Sequence, residues 1–233
     1  MIIIKPQEIT IVSTNVTNDT EDYMFDEYLN RQTSNADLIE VQIAFNNADR
    51  VALFNLEATS IVLQLTDNAT SEVVQTKTID LEMIDGEYQQ WVIDSAYIYA
   101  DATMKISIHN AGSDAKCGKC GIGLSTNIGQ TQYGAQAGFI DYSIKDINEF
   151  GQTFLNPGNW AKNPSITTVI DYDIIDSVFE DLVDVRGKLV FFEGNEQDSN
   201  FESFRALGFI EDWRITVNNP SIAWVDLSLQ GVI

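Results

Sequence analysis

Cys117 and Cys120 form the motif CGKC, and by spacing alone such a pair can serve as a redox couple or as half of a zinc site. His109 is the only histidine. A tetrahedral site wants four nitrogen or sulfur ligands, so a metal here would need a carboxylate or a neighbouring subunit to complete it. A redox role lacks the βαβ context in which CxxC works. The two thiols are therefore expected as strand-end cysteines in a glycine turn, and no metal or cofactor is expected. Paired carboxylates, Glu180 with Asp181 and Glu211 with Asp212, are of the type that cleaves glycosidic bonds. In a chain with 35 acidic residues such neighbours arise by chance. Asp176, Glu180 and Asp184 recur every four residues, the spacing of a solvated helix stripe. No nucleophile elbow and no phosphate-binding glycine loop is present, so no enzymatic activity is expected.

The aromatic residues carry more promise. Trp91, Tyr97 and Tyr99 lie close together, and on a β-sheet their rings can stack on a sugar; Tyr97 and Tyr99 share one face, with Ile98 on the other. The competing expectation is that they are core residues. Residues 129–151, GQTQYGAQAGFIDYSIKDINEFG, combine Gly129, Gly134, Gly138 and Gly151 with Tyr133, Phe139, Tyr142 and Phe150. The glycines suit positive φ or close backbone approach, and the rings can supply packing that holds an irregular segment. Residues 150–165 follow with Pro157, Trp160 and Pro164. This long connection is either an arm that touches a neighbour or a loop over its own core. Trp160 is the residue that distinguishes them, because an exposed Trp anchors interfaces.

The elements that must position these residues are mostly strands. Alternation at 38–45, 51–56, 60–67, 72–81, 87–93 and 102–110 puts Met104, Ile106 and Ile108 on one face, with Lys105, Ser107 and His109 on the other. This spacing predicts an antiparallel β-sandwich of jelly-roll type over about residues 36–125, within a first domain of 1–125. At 171–187 the period changes to 3.6: Ile174, Ile175, Val178, Phe179, Leu182 and Val185 predict one amphipathic helix over 173–186, capped by Asp173 and ended at Gly187. Strands at 188–194, 207–217 and 221–232 complete a small α+β domain at 166–233, with 126–165 as a glycine and aromatic connector and arm. The fold class is mainly β.

The formal charge is −22, from 13 basic and 35 acidic residues in 233. It repels phosphate backbones and acidic lipid, so nucleic-acid binding is not expected, and since no apolar run approaches the roughly 20 residues needed to span a bilayer, neither is membrane insertion. The opening MIIIKPQEITIV lacks the length and cleavage pattern of a signal peptide.

Three stretches resemble a family of bacteriophage tail structural proteins: the opening MIIIKP, the GQTxYGA, DYS and FG pattern of 129–151, and the C-terminal pattern GF, D and LxxxG within 206–233. The resemblance implies a non-enzymatic virion component made in the host cytoplasm. It implies a homo-oligomer at the tail or baseplate, contacting other tail proteins and holding a fibre or spike. Tyr133, Phe139, Tyr142, Phe150 and Trp160 then become interface residues. The alternative is receptor recognition, in which the sandwich binds a host surface glycan through Trp91, Tyr97 or Tyr99. Members of the family often carry a Trp-rich, carbohydrate-module-like insert after the opening strand; here residues 24–35 read only MFDEYLNRQTSN, a departure that weakens the sugar-binding implication.

Overall fold

A computed structural model of the chain describes residues 1–26, 28, 31–84, 87–89, 91–99, 101–194 and 202–232, with the side chains of 84, 87, 95–99 and 202 left aside. The chain divides into two compact units, Ile4–Ser125 and Met1–Ile3 with Thr126–Ile233. Residues 126–165 thus share a unit with the C-terminal elements, as do the first three residues.

The strands that lie wholly or mostly in the first unit are β1 (Ile2–Pro6), β2 (Thr10–Thr14), β3 (Thr33–Phe45), β4 (Ala48–Glu57), β5 (Ser60–Asp67), β6 (Glu72–Asp80), β7 (Met83–Ile84), β8 (Glu87–Tyr88), β9 (Trp91–Tyr99) and β10 (Ala102–Asn127), the first two residues of β1 and the last two of β10 belonging to the second. The first half of β10, residues 102–109, is flanked by β3 and β5, with β2 and β6 beyond. Its second half pairs with β4, which pairs with β9. One strand thus serves both sheets of an antiparallel sandwich. The change of sheet is a break in register against β3 between His109 and Asp114. Gly112 sits there at φ 81° and donates its N–H to Asp37 Oδ1, and Asn110 Nδ2 donates to the Asp114 carbonyl. A bulge of this kind bends a strand and raises its twist. Between the sheets lie Ile39, Val41, Ile43, Ile61, Leu63, Leu65, Met104, Ile106 and Ile108, facing Val51, Leu53, Leu56 and Ile122. The predicted alternation in 102–110 therefore holds: Met104, Ile106 and Ile108 are fully buried.

In the second unit, β11 (Gln130–Thr131), β16 (Ser165–Asp171), β19 (Ile222–Gly231), β18 (Arg205–Val217) and β17 (Val190–Glu193) form an antiparallel sheet in that order. Helix α1 (Ile175–Asp184) packs on one face through Val178, Leu182 and the following Val185, against Ile166, Ile170, Val225, Leu227 and Leu229. The helix starts later than the sequence suggests. Tyr172–Ile174 wind as a 3-10 turn, so Asp173 lies inside that turn and Ile174 takes the cap position without a side-chain bond. Asp176 does occupy the first turn, and Gly187 has the positive φ (69°) expected of an exit. Ile174 and Phe179, predicted on the buried stripe, are about half exposed; Phe179 sits at its margin, edge to face with Trp213 at 5.1 Å between ring centroids.

Four strands leave this sheet as a narrow projection: β12 (Phe139–Asp141), β13 (Ile144–Ile147), β14 (Thr153–Asn156) and β15 (Trp160–Lys162). β12 pairs with β15 and β13 with β14, making a two-strand ribbon with its turn at 148–152.

Candidate functional site

The ribbon is rooted firmly and ends bare. At its root Ala161 is buried, Asn163 donates its N–H to the Gly138 carbonyl, and Gln136 and Ser165 exchange backbone hydrogen bonds. Gly138 is required there, since a Cβ would stand 2.8 Å from the Asn163 carbonyl oxygen. Midway, Ser143 donates its N–H to Asp141 Oδ1, and its side chain accepts from the Gly158 N–H. Hydrogen bonds from Ser143, with Lys145 3.7 Å away, hold the Asp141 carboxyl below its usual range. At the tip, Asn148 Oδ1 accepts from the N–H groups of both Phe150 and Gln152, and Gly151 takes φ 76°. This small polar knot fixes the turn without any buried apolar contact.

Every residue of β13 and β14 is exposed. The register places Ile144 and Phe154 on one side of the ribbon, and Ile147 and Leu155 on the other. Phe150, at the tip, is 88% exposed. A two-stranded ribbon in water is marginal on its own, and this one shows apolar side chains on both faces that no described residue covers.

The five residues predicted at an interface all lie on or beside this projection. Phe139 and Trp160 meet edge to face across β12 and β15, with ring centroids 6.3 Å apart, and both remain mostly exposed. Tyr142 accepts a long hydrogen bond from Gln230, and Tyr133 stands fully exposed. None of the rings forms a core for the segment, contrary to the packing role expected of Tyr133, Phe139, Tyr142 and Phe150. A ribbon one residue thick has no interior for them to fill. Reasoning from sequence missed Ile144, Ile147, Phe154 and Leu155. Their signal was available as two short apolar runs about the turn-forming NEFG.

Of the three residues expected to contact a glycan, only Trp91 has a described side chain. Trp91 is half-buried and packs edge-on against Phe54, itself 2% exposed. Tyr97 and Tyr99 belong to β9, but their side chains lie outside the described residues. Cys117 and Cys120 lie within β10, paired with Leu56 and Leu53 of β4, rather than in a glycine turn. Residues three apart on a regular strand point to opposite faces, yet both thiols face the core. The reason is a local slip in phase: Asn55 adopts φ 53°, and Gly118 has no room for a Cβ, which would stand 2.7 Å from Asn55 Cβ. Burial pushes the Cys117 thiol up to about 12 and that of Cys120 well above its usual value, so both are neutral thiols in an apolar setting. Among the described residues, no group of three or more His, Cys, Asp or Glu side chains is placed to hold a metal. No described helix is long and apolar enough to cross a membrane.

No family model matches the chain, and no curated protein matches it. Among solved structures it is similar to the lectin domain of lectinolysin. A His 62 mutant of that domain complexed with Lewis b is 11% identical, with a TM-score of 0.41, covering 53% of this chain and 99% of that one. A fucose-binding module of Streptococcus pneumoniae is 12% identical, with a TM-score of 0.35 over 49% and 91% of the two chains. A chitosan-binding module from a Paenibacillus chitosanase/glucanase is 14% identical, with a TM-score of 0.33 over 52% and 95%.

What the second unit offers chemically is contact. Its ribbon carries apolar surface on a narrow projection, and its charged residues Asp141, Lys145, Asp146 and Glu149, three acids against one lysine, share the negative sign of a molecule of charge −22. Nothing along it is arranged for acid-base or nucleophilic work.

Proposed function

We propose that this chain is a non-catalytic assembly subunit, and that the β13–β14 ribbon docks against a neighbouring copy. The observation that carries this is the exposure of apolar side chains on both sides of a two-strand ribbon whose root is tightly bonded. Apolar surface of this kind is characteristic of contacts made in an assembly. The sequence resemblance supplies the setting, a bacteriophage tail or baseplate, where the sandwich would give a fibre or spike its attachment. Repeated copies would turn weak single contacts into firm ones. The test is mass photometry and electron microscopy of the full chain beside a variant with Ile147→Ser, Phe154→Ser and Leu155→Ser. The natural chain is expected to form a closed oligomer and the variant a folded monomer. Identical mass distributions would overturn the proposal.

Recognition of a surface glycan is the second function the chain can support. The lectinolysin, pneumococcal and Paenibacillus domains above are described as binding Lewis b, fucose and chitosan. In this chain the observation that favours it is not at Trp91 but on the exposed face of the other unit's sheet, at Trp224.

A further inference from the structure

The sheet of the second unit has one face under α1 and one in solvent. Along β19, Ala223, Val225, Leu227 and Leu229 point into the core, so Ile222, Trp224, Asp226, Ser228 and Gln230 point away from it. Trp224 is 45% exposed. Its direct neighbours across the sheet are Thr216 on β18 and Val169 on β16, and those of Asp226 are Arg214 and Thr167. Thr167 Oγ1 donates to Asp226 Oδ1 at 2.7 Å, which fixes the carboxylate in place. Arg214 is exposed, and its side chain makes no hydrogen bond or ion pair among the described residues, leaving the five N–H donors of its guanidinium uncommitted.

A ring, a fixed carboxylate, a free guanidinium and two hydroxyls therefore stand on one flat surface. Neighbouring positions on such a sheet are about 4.8 Å apart across strands and about 6.8 Å apart along one. That is the scale on which a sugar lying on an indole presents its hydroxyls. Binding sites of this sort pair an apolar ring with a few convergent polar groups. The occupant's charge is also constrained. Asp171, Asp212 and Asp226 outnumber Arg214 on this face, and the whole chain carries −22, so an anionic polymer is repelled. A protein partner would meet charged and hydroxyl groups around the ring, unlike the apolar ribbon.

We infer that the Trp224 face binds a pyranose glycan without negative charge, the sugar stacking on Trp224 while Asp226, Arg214 and Thr216 engage its hydroxyl or amino groups. This inference rests on the glycan-recognition function named above and assigns it a place and a ligand class.

The experiment is tryptophan-fluorescence titration of the full chain with cellohexaose, N-acetylchitohexaose and deacetylated chitohexaose, beside a hyaluronan hexasaccharide, and a surface-glycan array run in parallel. The same measurements are made on Trp224→Ala, Asp226→Asn and Trp91→Phe, each checked for an unchanged melting temperature. At least one uncharged or amino sugar is expected to bind, about tenfold or more weaker in Trp224→Ala, with Trp91→Phe unaffected. Binding that survives Trp224→Ala would overturn this site while leaving glycan recognition standing. Binding of hyaluronan as tight as that of the other probes would overturn the ligand class. No binding to any probe or array glycan would overturn both. A change of oligomeric state in Trp224→Ala without any glycan effect would mark the face as a protein contact and also overturn the inference.

Discussion

Cys117 and Cys120 illustrate how a motif with a chemical reputation becomes plain core. In the folded state burial holds the Cys117 thiol neutral up to about pH 12, whereas an unfolded thiol ionises near 9. Its contribution to stability is therefore complete below pH 9 and is lost as pH rises from there toward 12. Urea midpoints should fall steadily above pH 9, and less so in a Cys117→Ala, Cys120→Ala background. Both thiols should resist a thiol reagent in the native chain and react fully in denaturant; rapid native labelling would contradict their burial. Glu40 works in the opposite sense. Its hydrogen bond from Lys105 lowers its pKa below 4.5, so its contribution is present above that pH and disappears as pH falls through the depressed value. The pair is partly exposed, and Glu40→Gln is expected to cost only about 0.5 kcal/mol at pH 7, with the gap closing as pH falls below 4.5, by denaturant titration.

At the level of elements, the strands with strict alternation were legible, Ala102–Asn127 only in part. Met104, Ile106 and Ile108 announce the first half of β10. The second half is hidden because the Asn55 and Gly118 slip and the 110–113 bulge each reset the phase, and a period-2 count cannot follow a strand across them. The helix was legible from its apolar spacing, but its start was not: an aspartate before an apolar run looks like a cap whether or not a 3-10 turn intervenes. The ribbon was visible only as a glycine-rich segment, since its pairing has no buried face to impose alternation. The site residues followed the same logic; Phe150 and Trp160 were found from composition, while Ile147 and Phe154 needed the register. Close approach was equally invisible. A Cβ on Gly123 would stand 1.9 Å from the Lys5 carbonyl oxygen, a backbone clash that no rotamer relieves. Gly123→Ala should destabilise the sandwich by about 2 kcal/mol or more, whereas Gly112→Ala, with nothing near its Cβ, should cost only its positive φ. Thermal melts of the two variants compare them directly.

For the molecule as a whole, charge and contact pull in opposite directions. Copies carrying −22 repel one another, while the ribbon that would join them, itself acidic, offers apolar side chains rather than opposite charges as its means of contact. Assembly should therefore tighten as sodium chloride rises from about 10 mM to about 150 mM, where the screening length falls from about 30 Å to about 8 Å. Mass photometry across that range checks this. Assembly that weakens with salt would point to ion pairs and away from the ribbon.

The allegiance of the first residues sets a timetable for biosynthesis. Met1 and Ile3 are buried with Val225, Leu227 and Leu229, yet they leave the ribosome before all of residues 4–125. The sandwich can close as soon as residue 125 has emerged, while its sister unit must wait for the last strand to be translated. Until then Met1, Ile2 and Ile3 remain apolar residues awaiting β17 and its neighbours. Nascent chains arrested shortly before residue 222 should yield a protease-resistant sandwich attached to digestible flanks, and only chains that extend past residue 231 should protect Met1–Ile3.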